Sequence, residues 1–140
     1  MNAEEKKALA ANTLKALIEK GDAEEAAAGF ADHISWWQPG EPASYGSPGR
    51  DTPNWIEKHK FIDDFITRSK QYAPDGGRSE IHRVHCDGDT VIVEMTNRAR
   101  FVSGKLYENQ YCFVCDLKAG KIASIRLFVD TQPAIDALTS

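Results

Sequence analysis

No apolar run in the chain exceeds a few residues, far short of the roughly 20 that a bilayer-spanning helix requires. Cysteine is sparse, three in 140 residues, and an odd number does not make a secreted disulfide framework. There is no excess of positive charge. Seventeen Lys and Arg stand against 21 Asp and Glu, a net charge of −4, which argues against the concentrated basic face of a nucleic-acid groove. The first residues, Met1-Asn2-Ala3-Glu4-Glu5-Lys6-Lys7, lack the apolar core and cleavage site of a secretory signal and read as the first turns of a helix. Repeats and low-complexity tracts are missing too. These absences leave a soluble, cytoplasmic domain over residues 1–140 with one hydrophobic core.

What is present falls into a helical half and a β half. Leu14, Leu17 and Ile18 recur at helical spacing within residues 4–20, and Gly21 ends that helix. Asp22, with Glu25 three residues on, caps a short Ala-rich helix ending near Phe30. Residues 34–37 form a brief strand. Four prolines and three glycines between residues 38 and 53 predict an irregular loop. Asn54 and Glu57 open a third helix whose stripe carries Trp55, His59, Ile62, Phe65, Ile66 and Ser69. Strands follow over about 79–87, 90–102, 105–117 and 121–129, parted by turns at Asp87-Gly88-Asp89, Ser103-Gly104 and Ala119-Gly120. Helices followed by a meander predict an α+β fold, with helices on one face of an antiparallel sheet.

Alternation along the strands assigns faces. A two-residue turn at Ser103-Gly104 places Asn97 opposite Gln110 and Met95 opposite Cys112. A second at Ala119-Gly120 places Cys112 opposite Leu127. One face then holds Val93, Met95, Asn97, Gln110, Cys112, Val114, Ile125, Leu127 and Val129, and the helices are expected to cover it. The other holds Glu94, Thr96, Arg98, Arg100, Tyr107, Asn109, Tyr111, Phe113, Arg126 and Phe128. Aromatics mixed with arginine are typical of a protein contact surface. A homodimer is therefore expected through Arg98, Tyr107, Asn109, Tyr111, Phe113, Arg126 and Phe128.

Two apparent motifs carry no metal or redox chemistry on this reading. Cys112-Phe113-Val114-Cys115 and His82-Arg83-Val84-His85 lie within strands, where residues three apart project to opposite faces. Neither a metal nor a cofactor is expected.

Gly21-Asp22, Phe30-Ala31-Asp32-His33 and Trp37-Gln38-Pro39-Gly40 together resemble the front of ketosteroid-isomerase-like proteins. Tyr107-Glu108-Asn109-Gln110-Tyr111, Ala119-Gly120-Lys121-Ile122 and Val129-Asp130-Thr131 resemble the SnoaL-like branch of the same nuclear-transport-factor-2-like superfamily. The resemblance runs from the first helix to about Asp130. It implies a cone, in which a curved sheet wraps three helices and leaves a small-molecule pocket at its open end. It does not imply one reaction, because this fold serves isomerases, epoxide hydrolases, cyclases, dehydratases and non-catalytic modules.

Carried over residue by residue, the resemblance finds the chemistry altered. The carboxylate base of a ketosteroid isomerase falls on Gln38, its tyrosine donor on Leu14 and its protonated acid on Cys112. The glutamate of the SnoaL-like Arg-Glu-Tyr pattern is Leu127, within Arg126-Leu127-Phe128. The Arg and Asp of an epoxide-hydrolase-like strand are Met95 and Asn97. The expected pocket lining is Trp36, Gln38, Asn97, Gln110 and Cys112, with Met95, Leu127 and neighbouring aliphatic residues. Asn97 is either a ligand contact or a buried amide serving the backbone. His59 and Asp32 are the remaining acid–base candidates.

Two functions stand open. One is a SnoaL-like protein that isomerises, dehydrates or cyclises a compact apolar substrate. The other is a non-catalytic ligand carrier or dimeric interaction module with a degenerate site. Glu94 discriminates a third, cyclase-type reading, which needs a carboxylate turned inward.

Overall fold

The computed structural model describes residues 1–39 and 54–138. The expected irregular loop lies, from residue 40 to 53, outside the described residues. Asn2 opens α1 (Ala3–Lys15) with a capping box: its side chain accepts the Glu5 amide, and Glu5 returns the bond. A single π-turn (Ala16–Lys20) comes next and closes at Gly21, whose φ of 60° is left-handed. Asp22 caps α2 (Ala23–Gly29), as expected from Glu25. The carbonyls at the end of α2 meet two lysines: Lys58 Nζ donates to Ala27 O at 2.9 Å and Lys121 Nζ to Ala28 O at 2.6 Å.

The first strand, β1 (Phe30–Trp37), begins directly after α2 and is longer than its sequence pattern implies. A two-residue strand, β2 (Ile56–Glu57), pairs with it and leads into α3 (Lys58–Tyr72). The meander is β3 (Gly77–Asp87), β4 (Thr90–Arg100), β5 (Leu106–Lys118) and β6 (Lys121–Val129). A further helix, α4 (Gln132–Leu138), packs by Ala137 and has no counterpart among the expected elements. The described residues thus contain four α-helices and one six-stranded sheet in the order β2-β1-β6-β5-β4-β3. The sheet is mixed, because β1 runs parallel to β6. This is the expected α+β cone, with an added helix and strand.

The register departs from expectation at two places. Phe101 N–H bonds Lys105 O at 2.9 Å, so the β4–β5 loop has three residues, Val102, Ser103 and Gly104, with Gly104 at φ 88°. Asn97 therefore lies opposite Asn109, Met95 opposite Tyr111 and Val93 opposite Phe113. The β5–β6 turn is the two-residue Ala119-Gly120 anticipated, both residues at positive φ. One extra residue in β6 then shifts the pairing, from Leu117 opposite Ile122 to Asp116 opposite Ser124. Consecutive burial of Ile122 and Ala123 marks the bulge. The two departures cancel in β6 and leave β5 alone reversed.

Helix and sheet meet through Phe61, Phe65, Trp36 and Phe113, with Trp36 ring centroids 5.2 Å, 5.5 Å and 5.9 Å from the other three respectively. The helices α1 and α2 approach too closely for a side chain at Gly29, where a Cβ would lie 1.8 Å from Thr13 Oγ1. Gly29→Ala is expected to cost about 1–3 kcal/mol of stability by overpacking. Urea unfolding checks this, and adding Thr13→Ala is expected to return part of the loss. An unchanged midpoint in Gly29→Ala contradicts the close approach.

Candidate ligand site on the inner face of the sheet

The corrected register sorts the inner face into transverse rows. Trp36, Ile125, Cys115, Val91 and Cys86 form one, and Leu127, Phe113, Val93 and Val84 the next. Val129, Tyr111, Met95 and Ile81 make a third. The fourth is polar: Ser79, Asn97 and Asn109, side by side on β3, β4 and β5 and all buried. An aliphatic and aromatic floor therefore ends in a band of neutral hydrogen-bonding groups.

Most of that band is satisfied internally. Ser79 Oγ donates to Asn97 Oδ1 at 2.6 Å. Asn109 Nδ2 donates to Asp130 O at 2.7 Å and to Tyr107 Oη at 3.1 Å. The Tyr107 and Tyr111 hydroxyls bond each other. Trp36 Nε1 donates to Gln38 Oε1 at 2.8 Å. Among the described residues Asn97 Nδ2 alone is a buried side-chain nitrogen without a partner, in a residue 6% exposed. Burial pushes the pKa of both tyrosines above the ordinary value, and the mutual contact adds to the shift at Tyr111. The inner sheet face has hydrogen bonds to offer and no carboxylate among the described strand residues.

Several expected site residues stand elsewhere. Gln110 and Cys112 face outward, because the three-residue loop reverses β5: Gln110 is exposed and accepts Thr96 Oγ1–H at 2.6 Å. Burial raises the Cys112 thiol pKa, helped by Glu94. Tyr107, Asn109, Tyr111 and Phe113, expected at a dimer surface, face inward for the same reason, and alternation alone could not have found them without the loop length. Trp36, Asn97, Met95 and Leu127 lie on the inner face as expected. Leu14 is fully buried in α1.

Neither acid–base candidate reaches the interior. His59 sits on the flank of the buried stripe of α3, its side chain 68% exposed, with Nδ1 3.0 Å from the Glu57 carboxylate. Asp32 is 93% exposed at the side chain and 3.8 Å from Lys58 Nζ. Trp55 is exposed as well.

Arg98, Arg126 and Phe128 face outward as expected. Arg98 pairs with Glu108 and with Glu80 at 3.1 Å, Arg126 with Asp116 at 2.6 Å, and Phe128 packs on Trp37 at 5.5 Å between ring centroids. Burial opposes ionisation of Asp116, yet hydrogen bonds from Arg126, Ser124 and Thr90 outweigh it and hold its pKa below the ordinary value. Glu94 turns outward to His85 at 2.9 Å, so it supplies no inward carboxylate. A bulge at His82 corrects one more expectation, since His82 and His85 share the outer face. Each has its own partner, Thr96 at 2.7 Å for His82 and Glu94 for His85.

A family profile for the SnoaL-like domain matches residues 12–125. The chain belongs to the SnoaL-like family. Solved structures agree on the fold. An NTF2-like protein of unknown function from Burkholderia pseudomallei is 17% identical, with 100% of each chain covered and a TM-score of 0.79. A putative polyketide cyclase from Acidithiobacillus ferrooxidans is 15% identical, over 99% of this SnoaL-like chain and 97% of the other, at 0.78. An LEH-like epoxide hydrolase of M. tuberculosis is 19% identical, over 96% and 90%, at 0.69. No curated relative matches the SnoaL-like chain in sequence.

The tyrosine pair makes the site testable by titration. A raised folded-state pKa contributes stability that is present below the unfolded tyrosine value near 10 and is lost as pH rises above it. Absorbance at 295 nm is expected to show Tyr107 and Tyr111 ionising later in the folded protein than in the urea-unfolded chain, with Tyr111→Phe removing part of the lag. Coincident titrations contradict burial of the pair.

Proposed function

We propose that this SnoaL-like chain binds a compact, largely apolar small molecule within the cone and hydrogen-bonds an acceptor oxygen of that molecule. The unpartnered, buried Asn97 Nδ2 carries the reading. A buried donor without an acceptor is costly, by about 1–3 kcal/mol, and a ligand oxygen relieves that cost. The row beside Asn97, in which Ile81, Tyr111 and Val129 are only partly buried around Met95, suits the apolar body of such a ligand. Asn97 and one of the two mutually bonded tyrosine hydroxyls, Tyr107 or Tyr111, keep a proton to donate, and neutral donors polarise a carbonyl without an ionised partner. Such donors supply carbonyl polarisation alone; isomerisation, dehydration or cyclisation also needs a proton acceptor, which no described inner-face strand carboxylate provides, so the reading is one of binding. The similarity to a putative polyketide cyclase and to an epoxide hydrolase supports small-molecule chemistry in general.

A screen of neutral cyclic ketones and quinones by protein-observed NMR tests the proposal. Hits are expected to shift Val93, Met95 and Tyr111, and Asn97→Leu to weaken them about tenfold, the worth of one neutral hydrogen bond. Hits that shift only Trp37 and Phe128 refute it.

A second reading concerns the outer face, where Trp37 and Phe128 form an aromatic pair between the ion pairs of Arg98 and Arg126. We infer a homodimer packed through this face, as a complement to the ligand site or, without catalysis, as the basis of an interaction module. Multi-angle light scattering is expected to give a dimer for the native chain and a monomer for Phe128→Glu. A native monomer at micromolar concentration removes the inference.

A further inference from the structure

The amide of Asn97 is held by a relay that begins outside the sheet. After α1 the chain takes one π-turn, which adds a residue to the turn and rotates the succeeding residues relative to the α1 face. Glu19 lies in that turn, its side chain 27% exposed and 3.9 Å from Lys15 Nζ. Its Oε2 accepts the backbone N–H of Ser79 at 2.6 Å. Ser79 belongs to β3, an edge strand, so this carboxylate occupies a donor that no neighbouring strand pairs. The buried Ser79 hydroxyl then donates its one proton to Asn97 Oδ1 at 2.6 Å. With Oδ1 so engaged, the amide presents Nδ2 to the inner face, where it has no acceptor among the described residues.

We propose that Glu19 and Ser79 are positioning residues that fix Asn97 as a hydrogen-bond donor, so that the inner face selects ligands bearing a carbonyl oxygen over molecules of the same shape that lack one. The inference rests on the ligand-site reading and adds its specificity. Without Ser79 Oγ the amide is free to rotate by half a turn and present an acceptor instead, and a carbonyl ligand then meets an oxygen. The carboxylate acts through hydrogen-bond acceptance at the Ser79 backbone. Glutamine in its place retains that function and alanine does not.

Two probes of nearly equal shape separate the possibilities: acetophenone, with a carbonyl, and α-methylstyrene, with a methylene in its place. Affinities are read from NMR shifts of Met95 and Val93, and the Asn97 side-chain amide is followed in the same spectra. The native protein is expected to favour acetophenone about tenfold. Ser79→Thr and Glu19→Gln are expected to keep that ratio. Ser79→Ala and Glu19→Ala are expected to bring it toward one while leaving α-methylstyrene binding unchanged, which a general loss of folding does not do. The Asn97 amide is expected to give one set of resonances in the native protein and Ser79→Thr, and a doubled or broadened set in Ser79→Ala. Equal native affinities, or a Ser79→Ala variant with native ratio and native Asn97 resonances, overturn the proposal. Binding of neither probe at the inner face counts instead against the ligand-site reading, and an Asn97 amide unaffected by Ser79→Ala then overturns the relay independently.

Discussion

Asn97 stands opposite Asn109 because the chain turns between β4 and β5 in three residues, and everything at the site depends on that pairing. Side chains alternate with a period of two, so a slip of one residue carries a whole strand's side chains to the other face. With a two-residue loop, Gln110, Cys112 and Val114 would line the cone and Tyr107, Asn109 and Tyr111 would face out. The three-residue loop closes through Phe101 and Lys105, with Gly104 in the left-handed conformation that a residue with a Cβ avoids. The extra residue in β6 then restores the alignment of Ile125 and Leu127 with the core. Loop and bulge together reverse β5 while its neighbours keep their faces.

That reversal separates two kinds of polar chemistry across one sheet. Inside, Ser79, Asn97, Asn109 and Tyr107 are neutral and buried, Tyr111 is neutral and half-buried, and their hydrogen bonds run mainly to one another. Outside, Arg98 pairs with Glu80 and Glu108, Arg126 pairs with Asp116, and Glu94 bonds His85, all within reach of water, where desolvation costs little and screening weakens each exposed pair. Amides and phenols tolerate burial once hydrogen-bonded, whereas an isolated carboxylate in the same place protonates. A neutral inner band is thus what a dry cone can hold stably, and under the proposed function it suits ligands without charge.

Much of this was legible in the residues. The cap at Asp22, the four meander strands and the faces of β4 and β6 follow from local signals, and the cone follows from the family resemblance. Loop length at 101–105 was not legible, because Ser103-Gly104 satisfies a two-residue hairpin as well as it ends a three-residue one. The bulge at Ala123 has no sequence mark beyond two adjacent apolar residues. His59 illustrates a different limit: it is three residues from Ile62 and shares a helical stripe by counting, yet the helix starts at Lys58 and Glu57 draws the ring outward. Glu19 was invisible because a π-turn leaves no pattern that periodicity detects. The acidic net charge and the scarcity of cysteine excluded whole classes of function but bear on none of these positions.

Cross-strand NMR contacts between β4 and β5 test the register most directly. Backbone proton contacts pairing Asn97 with Asn109 and Met95 with Tyr111 are the predicted result. Contacts pairing Asn97 with Gln110 and Met95 with Cys112 would contradict it, turn the tyrosines and Asn109 outward, and remove the neutral polar band from the interior.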